Sequence, residues 1–335
     1  MLPRREFIQT MAGATAGLLI TNEVSANLSG VIPTKTLPNR KFGATGKSVT
    51  MIGVGGYHVG WTSEKDAREV IETAIESGIR FFDTAESYNA GESERRYGKY
   101  LVPKYRDQIF LMSKSTASDG KGARKHLEET LKRLNTDHLD LWQIHALSSP
   151  EDVDKRIAAG VLDVAIQAKK EGKIKHIGFT GHQSPYAHLR MLEATKGDQI
   201  FDACQFPVNA VDFASEHSFV RLVMPKAIEK GLAIIAMKTL ADGRFFKNKI
   251  MNTDEVWKTD NPVVPDLITM DDAMSFAWSL PVSVVVTGAE NANLLNEKIK
   301  IAVNFKNLTE AEREKLAVKV TDLAKEGKVE YYKSV

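Results

Sequence analysis

Four side chains in this 335-residue chain are suited to moving a proton to or from an oxygen: Asp83, Tyr88, Lys114 and His145. Each follows a short apolar run. Phe81-Phe82 precedes Asp83, with Tyr88 one short loop further on; Phe110-Leu-Met precedes Ser113-Lys114; Leu141-Trp-Gln-Ile precedes His145. Taken singly these are ordinary residues. A lysine after a strand is usually a solvated charge, a lone histidine usually a structural one, an aspartate often a helix cap, and a tyrosine often rim packing. Their coincidence is the signal: consecutive apolar runs deliver an acid, a base and an imidazole, with a phenol nearby. A lysine beside Tyr88 is expected to lower the phenol's pKa towards neutrality. Asp83 would hold that lysine, and His145 would orient a carbonyl by a hydrogen bond. The set is poor for a metal, with one clear imidazole and no carboxylate cluster at ligand spacing. It is equally poor for acyl transfer, because no nucleophile elbow is present.

The elements that must position these groups alternate. β-branched runs at Thr50–Val54, Arg80–Phe82, Ile109–Met112, Leu139–Ile144, Lys175–Phe179, Ala203–Phe206, Ala233–Ala236 and Val282–Val286 predict strands. Helical stretches lie between them. One is opened by Ser63 with capping-box spacing to Asp66, and others cover Ala123–Leu134, Glu151–Glu171, Pro185–Ala194, Glu216–Glu229, Asp271–Ser279 and Asn293–Val303. Strict alternation predicts a parallel sheet with helical crossovers, and eight units match a closed (β/α)8 barrel. An open doubly wound sheet is the rival, but no G-x-G-x-x-G joins a strand to a helix; Gly53, Gly55 and Gly56 have the wrong spacing. Barrel chemistry is built where strands end, which is where the four residues fall. Residues 40–48 predict a hairpin able to plug the bottom, and Thr309-Glu-Ala-Glu312 predicts a closing outer helix. Asp242–Thr269, with Trp257, predicts a long functional loop at the mouth.

Composition narrows the partners. Forty-five basic and 43 acidic side chains leave a net charge of +2, so no broad basic field exists for nucleic acid. A single cysteine, Cys204, excludes an internal disulfide framework. At the N-terminus, Arg4-Arg5 precede a short apolar stretch, Met11 to Ile20, and the small-residue site Val24-Ser25-Ala26. This predicts a twin-arginine signal peptide within residues 1–30, recognition by the twin-arginine export machinery, and a mature protein in the periplasm or beyond, without stable membrane insertion. The other reading is a frayed basic helix opening a cytosolic protein. Residues 31–335 are then one domain.

Three segments closely resemble the aldo/keto reductase family: GIRFFDTAESYNAGESE (78–94), MSKS (112–115) and LKRLNTDHLDLWQIH (131–145), within a likeness spanning about residues 38–305. The resemblance implies a TIM barrel, an extended nicotinamide cofactor, carbonyl–alcohol interconversion and no metal. It implies that Tyr88 is the general acid of a tetrad with Asp83, Lys114 and His145. It places Gly55, Gly56 and Tyr57 in the first loop over the cofactor, beside Asp83. Thr180 and Gln205 match residues that hold the carboxamide. Gly181, followed by His182, stands where the family usually has Asn. Met237, followed by Lys238, stands where many members have an aromatic. Gly288, Glu290, Leu294 and Glu297 fall on the segment that grips the far end of the dinucleotide. Glu290 and Leu294 replace two frequent arginines, so the reading leans to NAD over NADP unless Lys298 or Lys300 reaches back as a phosphate ligand. A nucleotide-binding regulatory barrel with little turnover is the alternative function; the complete tetrad favours catalysis. An unrelated lyase or hydrolase barrel has no use for the phenol–lysine–aspartate set. Tyr57, His58, Trp61 and Trp257 are candidates for an aromatic pocket wall.

Overall fold

The computed structural model describes residues 36–197, 199–241, 246–247, 261–262, 267–326 and 329–334. The arginine pair, the apolar stretch after it and Trp257 lie outside the described residues. The described residues fall in one compact unit, Lys35–Val335. Eight parallel strands close into a barrel: β1 (Ile52–Gly55), β2 (Phe81–Asp83), β3 (Phe110–Ser115), β4 (Leu139–Ile144), β5 (Ile174–Thr180), β6 (Ala203–Pro207), β7 (Ala233–Met237) and β8 (Val284–Thr287). The last strand pairs with the first, Val285 opposite Ile52, and completes the ring.

Side chains alternate across a strand, and this parity explains both layers. Phe82, Leu111 and Trp142 pack outward under the helices, while Phe81, Met112, Leu141 and Ala203 fill the interior. Two residues further along each of those four strands, the same inward face carries Asp83, Lys114, Gln143 and Gln205. A polar layer therefore sits directly above an apolar one.

The bottom is closed by the expected hairpin, Asn39–Lys41 against Ser48–Thr50. Its Phe42 is fully buried and packs on Phe110 at 4.8 Å and Phe81 at 6.2 Å between ring centroids. Gly43, at φ +53°, comes so close to the chain that a Cβ would lie 2.5 Å from the Ala233 nitrogen. Arg40 binds the Trp278 and Val282 carbonyls, and Trp278 Nε1 donates to the Met51 carbonyl at 2.9 Å, so the two ends of the barrel sequence are stitched together.

Two expected helices are broken. Glu151–Glu171 forms Pro150–Ala158 and Val161–Lys170, because Gly160 turns left-handed at φ +82°. Glu216–Glu229 is replaced by short helices at Ala210–Ala214, Phe219–Leu222 and Met224–Glu229. Here the buried Asp212 carboxylate takes the Phe219 and Val220 N–H groups and the Ser218 hydroxyl, which diverts the chain. Glu92–Tyr100, not foreseen as a helix, lies between β2 and β3 in the chain. Ser63 caps Glu64–Glu76 as expected, and Thr309 and Glu312 form a full capping box on Glu310–Lys319.

Candidate active site

The four residues meet at the mouth. Lys114 Nζ donates to Asp83 Oδ1 at 2.6 Å, to the Thr84 carbonyl at 2.8 Å and to the Tyr88 hydroxyl at 3.2 Å. Asp83 and Lys114 are 2% and 1% exposed, whereas Tyr88 is only partly buried. The His145 ring sits edge-on to Tyr88, 5.8 Å between centroids. Its backbone carbonyl accepts from Arg156 Nη1 at 2.7 Å, which fixes the loop after β4.

Gln143, unforeseen from sequence, completes the polar layer. Its Nε2 donates to Gln205 Oε1 at 2.7 Å, and Gln205 Nε2 donates to the second Asp83 oxygen at 3.0 Å. Asp83 is thus held from two sides, and it holds Lys114 in turn. The signal available in the sequence is parity: Gln143 shares the inward face of its strand with Leu141 and is the polar residue on it.

Electrostatics correct one expectation. Tyr88 is not pulled towards neutrality; its pKa is pushed up to about 12, chiefly by burial of the hydroxyl, with Lys114 pulling down and Asp83 pushing up. Asp83, paired with Lys114 at 2.6 Å, offsets part of the lysine's pull on the phenol. Burial alone would depress Lys114, but Asp83 and Tyr88 hold its pKa above the ordinary lysine value. His145 falls well below the usual histidine range, first through burial and then through Lys114, so it is a neutral imidazole at physiological pH.

A cavity of ≈ 430 Å³ opens over this layer. It is lined by all four residues and by Gly55, Tyr57, His58, Thr180, His182, Gln205, Met237, Lys238, Val286 and Gly288. Ser87, Thr116 and Tyr331, not singled out from sequence, also line it. Gly56 and Gly181 lie just behind. A Cβ on either would come within 2.4 Å of a backbone carbonyl, that of Asp83 or of Leu147. Trp61 stands 6.1 Å from Tyr57 and is 39% exposed, outside the lining.

Glu290, Leu294 and Glu297 also lie outside that lining, on the loop after β8 and the first turns of Ala292–Asn304. Lys298 is buried and its Nζ donates to the Gly288 carbonyl. Glu290 stands 3.8 Å from His58 Nε2, and its carbonyl accepts from Thr62 Oγ1 at 2.8 Å. Gly288 leaves room for the His58 ring, which a Cβ there would displace, lying 1.9 Å from it.

The family model of the aldo/keto reductases matches residues 51–321. The chain belongs to the aldo/keto reductase family. This aldo/keto reductase is 26% identical over 297 residues to the uncharacterised oxidoreductase YqkF of Bacillus subtilis, covering 82% of this chain and 93% of that one. It is 27% identical over 235 residues to the D-threo-aldose 1-dehydrogenase of a Pseudomonas species, covering 60% and 68%. Its fold matches that of an aldo-keto reductase from Bacillus halodurans in the holo form, with a TM-score of 0.68 at 21% identity over 84% of this chain and 96% of that one. This aldo/keto reductase is accordingly a nicotinamide-dependent oxidoreductase acting between carbonyl and alcohol.

The cavity fits such a nucleotide. His145 Nδ1 is buried without a hydrogen-bond partner, so the ring's hydrogen-bonding capacity is not spent on the protein at that atom. Gln205, with one N–H on Asp83 and one bond accepted from Gln143, keeps one donor and one acceptor for a ligand amide.

Proposed function

We propose that Tyr88 gives its proton to the carbonyl oxygen during reduction and takes it back during alcohol oxidation. The observation that carries this is the Tyr88 hydroxyl, 3.2 Å from Lys114 Nζ on the wall of the cavity. When bound, a nicotinamide nucleotide supplies or accepts the hydride; every proton is handled by the protein. Neutral His145 can place one N–H on the carbonyl oxygen and orient it towards the phenol. As Tyr88 loses its proton, the developing phenolate sits beside the Lys114 ammonium, which stabilises the charged form more than the neutral phenol. Asp83, braced by Gln205, keeps the ammonium in place. Substitution of Tyr88 by Phe, which removes only the hydroxyl, tests the assignment.

The cofactor reading leans to NAD. Glu290 supports it, because a carboxylate repels a 2′-phosphate but accepts hydrogen bonds from a free ribose hydroxyl. Lys298 adds support: its ammonium is turned onto the Gly288 carbonyl, and burial lowers its pKa. Glu290→Arg is expected to move the ratio of NADP to NAD affinity at least tenfold towards NADP, about 1.4 kcal/mol, read by fluorescence titration with each reduced nucleotide. The lean is wrong if the unmodified enzyme binds NADP tenfold more tightly than NAD.

Export before function remains part of the proposal, resting on Arg4-Arg5 and the short apolar stretch. With both arginines changed to lysine, the precursor is expected to accumulate in the cytoplasm of a twin-arginine-competent host. Normal recovery of that variant from the periplasm counts against the export reading.

A further inference from the structure

The segment 329–334 lies against the active-site cavity through two adjacent tyrosines. Tyr331 lines the cavity and is 48% exposed. Tyr332 is buried; its ring meets His182 edge-on at 5.5 Å and lies beneath Lys238 Nζ at 4.6 Å, two residues that also line the cavity.

What holds this segment is a buried cluster of charge. Lys333 Nζ stands 2.6 Å from Asp212 Oδ1 and 2.6 Å from Glu330 Oε2, and all three side chains are at most 8% exposed. Glu330 Oε1 also accepts from Asn209 Nδ2 at 3.0 Å and from the Tyr332 hydroxyl at 2.7 Å. The Ser334 N–H donates to the Gln183 carbonyl at 3.1 Å. Asp212 is the fixed half of the lock, because the chain turn at residues 212–220 already wraps it with three donors. Two carboxylates and one ammonium taken out of water are an expensive way to hold a surface segment, since each desolvated ion must be offset by close pairing. The lock pairs all three charges in one arrangement, and in that arrangement Tyr331 stands on the cavity.

We propose that Lys333 is a positioning residue: by bridging Asp212 and Glu330 it seats residues 329–334 at the cavity mouth, so that Tyr331 acts as a wall that selects among carbonyl substrates by size and by an apolar ring face. This rests on the reading of the cavity as the carbonyl site. Lys333 itself touches no reacting group, so its removal acts on binding and not on the proton step. A small carbonyl compound sitting at Tyr88 and His145 has no need of the wall. An aromatic aldehyde extending from them does.

The test combines a structural and a kinetic readout on the full-length enzyme. In Lys333→Met, amide hydrogen exchange across 329–334 is expected to rise by about tenfold or more, while the barrel strands stay protected. In the same variant KM for 4-nitrobenzaldehyde is expected to rise about tenfold with kcat within about twofold, while both constants for methylglyoxal hold. Tyr331→Ala separates wall from anchor: it should reproduce the KM change with exchange of the segment near the unmodified level. Unchanged exchange in Lys333→Met overturns the proposal, whatever the activity. So does raised exchange without a KM change in either variant. If the unmodified enzyme reduces neither aldehyde with either nucleotide, the carbonyl-reductase reading is at fault, and the exchange measurement still decides whether Lys333 is the anchor.

Discussion

Tyr88→Phe is expected to cut turnover by about 10²–10⁴, the usual contribution of a positioned general acid. The change removes one oxygen from a residue that is anchored by more than that oxygen: its ring meets Tyr57 at 5.4 Å and His145 at 5.8 Å. The fold and nucleotide binding should therefore survive, and titration of the variant with reduced nucleotide checks this. The pH dependence has a defined sign. With its pKa near 12, Tyr88 carries its proton throughout the physiological range. Reduction, which needs the acid form, should show no alkaline loss from this group until far above neutrality. Oxidation needs the base form and should climb as pH rises. Both dependences vanish in the variant. Near-normal turnover by Tyr88→Phe, on a substrate the unmodified enzyme uses well, would remove Tyr88 from the mechanism.

Lys114→Met carries the second large effect, and it is double. The Asp83 carboxylate, 2% exposed, would lose its ammonium partner at 2.6 Å and keep only the Gln205 amide as a side-chain donor. Breaking one side of a buried pair costs about 3–5 kcal/mol, because a charge is left uncompensated in the interior. Turnover should fall at least as far as in Tyr88→Phe, since the phenolate loses the cation that stabilises it. The same loss moves the alkaline limb of oxidation to still higher pH, because Lys114 is the group that pulls the Tyr88 pKa down. A control separates the two effects. Adding Asp83→Asn to Lys114→Met removes the orphaned charge, so chemical denaturation should show most of the stability restored while turnover stays low. Unchanged stability and turnover in Lys114→Met alone would refute both roles.

Much of the fold and of the site is legible in the sequence. All eight barrel strands lie within a few residues of the apolar runs, because β-branched residues between Gly and Pro punctuation leave few alternatives. Asp83, Lys114 and His145 are placed at the mouth because each stands within two residues of the end of such a run. Other features required three dimensions. Glu151–Glu171 reads as one helix, and only the left-handed Gly160 divides it. The direction of the Tyr88 pKa shift also required three dimensions: the sequence puts a lysine near the phenol but does not show that Asp83 stands closer to that lysine than the phenol does. Gln143 is hidden inside an apolar run, although its parity with Leu141 and His145 marks it as inward-facing. The lock at Lys333 left no periodic trace, since it joins Asp212 to residues more than a hundred positions away.

The stitch between Trp278 and Met51 has a consequence for how the molecule is made. The two residues are 227 positions apart, and the strand beside Met51 finds its last partner only in Val284–Thr287. During synthesis β1 therefore waits with one edge unpaired until nearly the whole barrel has been produced. Contacts at such long sequence separation slow folding, because the entropy of closing the loop is spent before the pairing rewards it. The interval leaves a parallel strand edge open to neighbouring chains. Ring closure is thus expected to be the slow and aggregation-exposed step, and refolding yield should fall with protein concentration more steeply than native stability would suggest.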